Sequence, residues 1–310
     1  MDTSYVIAPV DKKLIKQELK DALFLRSTNK GSREIYITTF HNSPNIMKEI
    51  GRLRELSFGQ EGGGSGKDCD IDEFDTLPLE HCYKQLFVWD PVDEEIIGGY
   101  RYILGNEIMI NEKTKELESA TAGLFYFTDF FKENYLPNTL ELGRSFVRPD
   151  YQPSFNLHKG MYSLDNLWDG LGALAKTHKE IKYFFGKITM YPSLDVKARD
   201  YILYFYKKHF PDSEGMVYPK EEVKIESDLN YLANLFCGRS YKEDYQILVK
   251  AVRERGENIP PLVNAYMNLS STMKSFGTSI NRHFSFVEET GILVTIDDIY
   301  PEKKKRYMDY

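Results

Sequence analysis

The sequence has little cysteine, in no arrangement typical of a metal site or a disulfide framework. Its three cysteines, Cys69, Cys82 and Cys237, form no Cys-x-x-Cys pair and cannot all be paired within one chain. Such usage is typical of a reducing compartment. No group of histidines and cysteines has the spacing of a zinc site, so we expect no bound metal.

Long apolar runs and an excess of basic charge are also missing. No stretch approaches the roughly 18 apolar residues that a membrane-spanning helix needs, and "MDTSYVIAPVDKK" lacks the pattern of a signal peptide. We therefore expect a cytoplasmic protein, with contact at the inner membrane surface left open. A net charge of −7 argues against duplex DNA as a partner, because DNA binding needs a broad basic face. We expect no nucleic-acid partner.

Two common catalytic motifs are absent. There is no G-x-S-x-G nucleophile elbow. The stretch "GQEGGGSGKDCDIDEFD" (59–75) imitates a phosphate-binding P-loop, but Glu61 stands where a glycine is required and Asp68 where the motif has Ser or Thr. Its glycines and acidic tail predict a mobile loop instead.

Hydrophobic periodicity predicts alternating helices and strands. The predicted helices are 11–25, 42–58, 163–178, 193–210, 241–256 and a further helical stretch within 259–277, and the predicted strands are 33–40, 83–90, 95–104, 182–190 and 291–301. The segment 121–137 predicts a short strand followed by a short helix. This order favours a mixed sheet with helices on both faces.

The strand "TLELGRSFVRPDY" (139–151) carries an unusual number of polar groups. In a regular strand Glu141 and Arg144 point to opposite faces, which buries Arg144 among leucines. A bulge at Gly143 resolves the conflict by adding one residue, so that both side chains share a face. An internal ion pair or an edge strand is the alternative.

The same stretch resembles a known signature. "LELGRSFVRPDY" is similar to the fourth-strand signature of the acyl-homoserine-lactone synthases and, more closely, of the ornithine-lipid N-acyltransferases, once described as hemolysins; both belong to the GNAT superfamily. The order of Arg54, Phe58, Asp72, Asp75, His81 and Arg101 matches the N-terminal half of these families. Residues 259–301 resemble the C-terminal segment of the lipid-forming enzymes, which the lactone synthases lack.

The resemblance implies an α/β fold, GNAT-like, with a mixed, splayed central sheet flanked by helices and a C-terminal α+β extension. We expect an N-terminal helical segment (1–32), an acyltransferase core (33–215) and an extension packed on that core (216–310). The likeness covers about residues 45–305.

The resemblance also implies an activity. The enzyme would be an N-acyltransferase that moves a long-chain, 3-hydroxylated acyl group from acyl carrier protein to the α-amine of glycine or ornithine, forming a lyso-aminolipid. The donor would be the acyl-phosphopantetheine of the carrier protein, with no bound cofactor. The GNAT phosphate loop is missing from "PDYQPSFNLHKGMYS" (149–163), which disfavours coenzyme A, although the helix beginning near Ser163 could receive a phosphate.

Two alternatives remain open on the sequence. One is a coenzyme A-dependent N-acetyltransferase, and the other is a non-catalytic, hemolysin-like lipid- or membrane-binding protein. The absence of a long amphipathic cationic helix counts against the second.

The candidate site follows from the chemistry of amine acylation. Glu141 is the candidate base, because an ammonium must lose a proton before it attacks, and Arg144 is the second candidate catalytic residue. The candidate substrate-binding residues are Arg54, Phe58, Asp72, Asp75, His81, Arg101 and Ser145. The arginines could grip the carboxylate of the acceptor or form internal salt bridges with Asp72 and Asp75.

Two further features have both a functional and an ordinary interpretation. "GLFYFTDFF" (123–131) and "YILYFYKKHF" (201–210) could line an acyl tunnel, although core packing is the more common role. The basic residues Lys303, Lys304, Lys305 and Arg306 could contact acyl carrier protein or an anionic membrane surface, or form a solvated terminal helix.

Overall fold

A computed structural model describes residues 3–308. Twelve strands are present in these residues: β1 (Leu23–Ser27), β2 (Glu34–Thr38), β3 (Lys84–Asp90), β4 (Glu95–Leu104), β5 (Met109–Ile110), β6 (Leu117–Glu118), β7 (Phe125–Phe127), β8 (Thr139–Val147), β9 (Tyr183–Met190), β10 (Val217–Pro219), β11 (Lys274–Asn281) and β12 (Val287–Thr295). Eight of them form one sheet in the order β1-β2-β3-β4-β8-β9-β12-β11, and β5-β6 and β7-β10 form two small ribbons.

Helices cover both faces of this sheet. They are α1 (Lys12–Glu18), α2 (Pro44–Gln60), α3 (Glu73–Thr76), α4 (Asp129–Asn134), α5 (Leu157–Gly160), α6 (Ser163–Thr177), α7 (Val196–His209), α8 (Leu229–Leu235), α9 (Tyr241–Glu254), α10 (Pro261–Met267) and α11 (Pro301–Tyr307). Short 3₁₀ turns occupy Gly105–Glu107, Leu136–Asn138, Pro149–Tyr151 and Ile296–Asp298. The predicted mixed sheet flanked by helices is confirmed.

The sheet opens between β8 and β9, which are parallel, whereas the other strand pairs of this sheet within residues 3–308 are antiparallel. Residues 139–142 of β8 pair with residues 183–186 of β9, and the pairing ends at Leu142 and Gly186. β8 continues to Val147 and β9 to Met190, so the two strands diverge. The resulting gap is the splayed geometry that the sequence resemblance implied.

Alternation along the strands separates two cores. Leu140 and Leu142 of β8 and Phe184 of β9 face a large cluster that includes α6, α7 and α10. Phe185, which is one residue further along β9, faces a second cluster with Phe131 of α4. Glu141 is in register with Phe185 across the parallel pair, so it points to the second face.

The predicted bulge is present, but not at Gly143. Gly99 pairs with Phe146 and Arg101 pairs with Gly143, so the single residue between them on β4 faces two residues on β8, Arg144 and Ser145. Arg144 has φ 49°, in the left-handed region that usually favours glycine or asparagine. The distortion therefore falls on Arg144 itself.

Two other expectations need correction. The predicted helix 11–25 ends at Glu18, and it is followed by β1 (Leu23–Ser27), which pairs with β2 at the edge of the sheet. A half-exposed edge strand needs little hydrophobic pattern, so the sequence did not indicate β1. The extension 216–310 does more than pack on the core. Its hairpin β11–β12 joins the central sheet through the β9–β12 pairing.

Candidate active site

A cavity of about 810 Å³ lies at the opening between β8 and β9. On the side of the larger core its wall is apolar, and includes Leu142, Phe184, Leu262, Tyr266 and Ile292. On the other side its wall is charged, with Arg101, Glu141, Arg144, Lys187 and Glu289. The cavity thus connects the two faces of the sheet through the gap between its diverging strands.

Glu141 is fixed by three hydrogen bonds to one oxygen. Its Oε1 accepts from Tyr83 Oη (2.7 Å), Thr121 Oγ1 (2.8 Å) and Thr121 N (3.2 Å), and the residue is 2% exposed. Burial and the neighbouring Glu141 carboxylate raise the pKa of Tyr83 well above its usual value, so Tyr83 remains a donor. Within residues 3–308 no hydrogen bond reaches Oε2 of Glu141.

Two arginines beside Glu141 form ion pairs with carboxylates of the acidic segment "DCDIDEFD" (68–75). Arg101 Nη1 donates to both carboxylate oxygens of Asp72 (2.7 and 2.8 Å) and to Asp75 Oδ2 (3.2 Å). Arg144 Nε lies 2.9 Å from Asp70 Oδ2, and its Nη2 lies 3.6 Å from Asp72 Oδ2. Because Arg101 and Arg144 share Asp72, the bulge places Arg144 on the face that carries Glu141.

Arg54 of α2 extends the same network into the core. Its side chain is 0% exposed, and its Nη1 donates to Asp75 Oδ2 at 3.2 Å while Nη2 donates to Gln85 Oε1. Gln85 Nε2 in turn donates to Asp75 Oδ1 at 2.9 Å. Arg54 therefore holds the acidic segment in place from within the core.

Two carboxylates of this network, Asp70 and Asp72, have pKa values that are shifted in opposite directions. Burial raises the pKa of Asp72, but its ion pair with Arg101 outweighs burial and holds that pKa well below the usual range. For Asp70 burial outweighs Arg144 and Arg54, so its pKa is raised. A buried cluster of this kind tolerates the loss of one partner poorly, because an unpaired charge remains.

Aromatic side chains complete the charged wall. The guanidinium of Arg144 lies 4.3 Å from the centre of the Phe284 ring, a cation–π arrangement. Phe284 contacts Phe58 edge-to-face at 5.3 Å, and both phenylalanines line the cavity. Phe58 lies in the last turn of α2, whereas Phe284 comes from the turn between β11 and β12.

The glycine-rich stretch 61–72 is irregular, as expected, whereas Gly59 and Gln60 of the predicted loop belong to α2 and its residues 73–75 belong to α3. Glu55 accepts hydrogen bonds from Ser65 N (2.9 Å), Ser65 Oγ (2.7 Å) and Gly66 N (2.9 Å). Gly64 has φ 104°, and a Cβ there would lie 2.8 Å from Glu55 Oε1. Ser285 Oγ donates to Gly64 O, so the β11–β12 turn rests on the loop.

Five of the predicted site residues line the cavity: Phe58, Arg101, Glu141, Arg144 and Ser145. The other four do not. Arg54, Asp72 and Asp75 lie behind the wall, in the internal ion pairs that the sequence left open as their alternative role. His81 lies near the surface, with Nδ1 2.8 Å from Glu107 O, so the structure gives no support for direct substrate contact by these four.

Sequence reasoning missed several residues that shape the site. Asp70 stands two residues before Asp72 in "DCDIDEFD", and the alternation of that stretch was the available signal. Tyr83 and Thr121 donate hydrogen bonds to Glu141 although they lie 58 and 20 positions from it in the sequence. No local sequence pattern predicts such pairs. The same holds for Lys187 and Glu289, which meet across β9 and β12.

The N-terminus of α6 lies beside the cavity. Ser163, Leu164 and Asp165 of its first turn line the wall. The preceding residue, Tyr162, makes no side-chain capping bond. Backbone N–H groups at a helix start that lack a side-chain cap are suited to anionic ligands.

The two aromatic segments proposed for an acyl tunnel do not line the cavity. Phe125 and Phe131 belong to one core cluster, and Phe205, Tyr206 and Phe210 belong to the other. Core packing accounts for these five residues, whereas Tyr126 and Phe130 of the first segment are exposed. Within residues 3–308, no helix has the length and apolarity to cross a bilayer, and no group of three or more His, Cys, Asp or Glu side chains is placed to hold a metal ion.

Comparisons with known proteins show which families this chain resembles. A family model described as an acetyltransferase (GNAT) domain matches residues 53–159. The glycine N(alpha)-acyltransferase of Phocaeicola vulgatus is 53% identical over 304 residues, which cover 98% of this chain and 92% of the relative. The enzyme of the same name from Bacteroides thetaiotaomicron is 53% identical over 303 residues, covering 98% and 89%.

Similar solved structures include acyl-homoserine-lactone synthases. LasI has a TM-score of 0.40 at 9% identity, covering 90% of this chain and 96% of its own. The coenzyme A-dependent synthase BjaI has a TM-score of 0.37 at 10% identity, covering 88% and 86%. On its near full-length identity to the two relatives above, the chain belongs to the glycine N(alpha)-acyltransferase family, and it is an N-acyltransferase with a GNAT domain.

Proposed function

We propose that this enzyme transfers a long-chain, 3-hydroxylated acyl group from acyl carrier protein to the α-amine of glycine, giving an N-acylglycine lyso-lipid. The names of the two relatives support glycine as the acceptor. One structural observation carries the proposal most directly: the cavity between β8 and β9 joins an apolar wall to a charged wall that contains Glu141. An acyl thioester and a zwitterionic amino acid require such different surroundings, and the cavity volume suits a small-molecule site.

In this proposal Glu141 accepts the proton of the glycine ammonium, directly or through one water. The free amine then attacks the thioester carbonyl carbon, so that a C–N bond forms and the C–S bond breaks. The second proton leaves the nitrogen and the pantetheine sulfur departs as a thiol, which balances the reaction. No covalent intermediate on the enzyme is needed.

The bulge in β8 is placed to stabilise the developing oxyanion. Beyond Leu142 the strand has no partner on its β9 side, and Gly143, Arg144 and Ser145 line the cavity. Main-chain N–H groups freed from a ladder and fixed in position are effective oxyanion donors. The side chain of Arg144, oriented by Asp70 and Phe284, adds positive charge at the same place.

The donor side of the proposal concerns acyl carrier protein. The start of α6 would receive the phosphopantetheine, because its first turn lines the cavity. Arg306 of α11 pairs with Asp165 of that turn, which itself lines the cavity, so the basic helix α11 lies against the start of α6. Acyl carrier protein is acidic, so charge complementarity would steer it there. An anionic membrane surface would be attracted by the same charges.

The donor is tested by kinetics with matched charge variants. Lys305→Glu reverses an exposed charge of α11, and Lys113→Glu reverses an exposed charge in the β5–β6 turn. We expect Lys305→Glu to raise the KM for acyl carrier protein, to reduce its salt dependence, and to leave kcat nearly unchanged, whereas Lys113→Glu has no effect. Equal use of acyl-coenzyme A and acyl carrier protein by the wild type would contradict the donor assignment.

A further inference from the structure

The charged wall contains an ion pair that the steps above leave without a role. Lys187 of β9 lies with Nζ 2.8 Å from Glu289 Oε2 of β12, and the two side chains are 13% and 4% exposed. Both line the cavity. Asn281 Nδ2 donates to Glu289 Oε1 at 3.2 Å, so the carboxylate is anchored from behind by β11.

Strand register places this pair opposite Glu141. Glu141 is in register with Phe185, and Lys187 is two residues further along β9, so its side chain points to the same face of the sheet. Glu289 and Gly291 pair with Thr189 and Lys187, which sets Glu289 on that face as well. Lys187 therefore faces the gap on the β9 side while Glu141 and Arg144 face it on the β8 side.

The side-chain nitrogen of Lys187 has N–H groups that Glu289 does not use. An ammonium carries three N–H bonds, and within residues 3–308 the only partner of Nζ is Glu289. Burial raises the pKa of Glu289, but Lys187 outweighs it and the net pKa is lowered, with Arg144 contributing in the same direction. Glu289 therefore stays ionised and fixes the side chain of Lys187 at the edge of the cavity.

We propose that Lys187 binds the carboxylate of the amino-acid acceptor, with Glu289 as the residue that positions it. The acceptor would span the gap, with its ammonium at Glu141 and its carboxylate at Lys187 beside Arg144. The inference rests on the proposed function and deepens it, because it explains how the enzyme selects a free amino acid over a simple amine. It also gives the C-terminal hairpin a part in substrate recognition.

The test compares glycine with glycinamide, which keeps the amine but lacks the carboxylate. In Lys187→Met we expect the KM for glycine to rise by about 10- to 100-fold, as the loss of a hydrogen bond to a charged group implies. The KM for glycinamide and for the acyl donor should change little, so the preference for glycine collapses. Lys187→Arg should restore part of that preference.

Controls separate recognition from folding. Lys182→Met removes an exposed lysine just before β9 and should leave both acceptors unaffected. Lys187→Met/Glu289→Gln avoids an unpaired buried carboxylate if the single variant melts early. An equal loss with glycine and glycinamide, or an unchanged preference, would overturn the inference. If the wild type acylates a different amino acid, the glycine assignment fails and the same comparison is made with that amino acid and its amide.

Discussion

Replacing Glu141 by Gln is the sharpest test of the proposed chemistry. The amide has nearly the shape of the carboxylate, and its carbonyl can occupy the position of Oε1, where Tyr83 and Thr121 donate. Each hydrogen bond becomes neutral and therefore weaker, by about 1 kcal/mol. The burial of a charge is removed at the same time, which offsets part of this loss. We expect the free energy of unfolding to fall by at most about 2 kcal/mol.

The effect on catalysis should be larger. Gln cannot accept the proton, and general-base catalysis contributes about 10²- to 10⁴-fold. That range corresponds to about 3–5 kcal/mol of activation free energy, more than the expected loss of stability. The variant should therefore melt almost normally and turn over very slowly.

The assay is the release of carrier-protein thiol at saturating glycine, checked by mass spectrometry of the product, with thermal melting in parallel. Tyr83→Phe is the matched control, since it removes one donor to Glu141 but keeps the carboxylate. We expect it to lose less than about tenfold in kcat, because the carboxylate is kept as the base and Thr121 still donates two hydrogen bonds to it. A Glu141→Gln enzyme with kcat within tenfold of the wild type would refute the assignment of Glu141 as base.

Two further predictions concern the supports of the site. The pKa of Asp72 is lower in the folded state than in the unfolded state. Its ion pair therefore stabilises the fold above the unfolded pKa of about 3.9, and this stabilisation is lost as pH falls through the folded value. In urea unfolding at pH 7 Asp72→Asn should be less stable than the wild type, and this difference in unfolding free energy should narrow below about pH 4. Gly64→Ala forces a Cβ to within 2.8 Å of Glu55 at φ 104°, whereas Gly66→Ala, at φ 70°, meets open space. Both substitutions should lower Tm, and Gly64→Ala should lower it more. Equal Tm values for the two variants would show that the contact with Glu55 does not stabilise the loop.

Much of the central fold could be predicted from the sequence, because its strands and helices show their periodicity locally. The polar strand 139–147 was informative for the same reason: a regular strand would bury Arg144 among leucines, which favoured a bulge over the alternatives of an internal ion pair or an edge strand. The position of the bulge depended on the cross-strand register with Tyr100, and the sequence of a single strand does not determine its register with a neighbouring strand. Hence Gly143 was the natural expectation, and Arg144 in the left-handed region is the observed outcome.

The site was predicted less completely, for a physical reason. Residues on one strand or one acidic segment, such as Glu141, Arg144 and Asp72, could be grouped by spacing. The pair Lys187–Glu289 forms only because β12 returns from the C-terminal segment to lie beside β9. A contact between two strands so far apart in the sequence leaves no periodic pattern, so the sequence indicated neither residue.

Product analysis tests the central claim most directly. The purified enzyme would be incubated with long-chain 3-hydroxyacyl carrier protein, and separately with acyl-coenzyme A, against a mixture of amino acids that includes glycine and ornithine, and the products identified by mass spectrometry. We predict one dominant product, N-acylated glycine, formed with the carrier protein. The absence of any N-acylated amino acid with either donor would contradict the account.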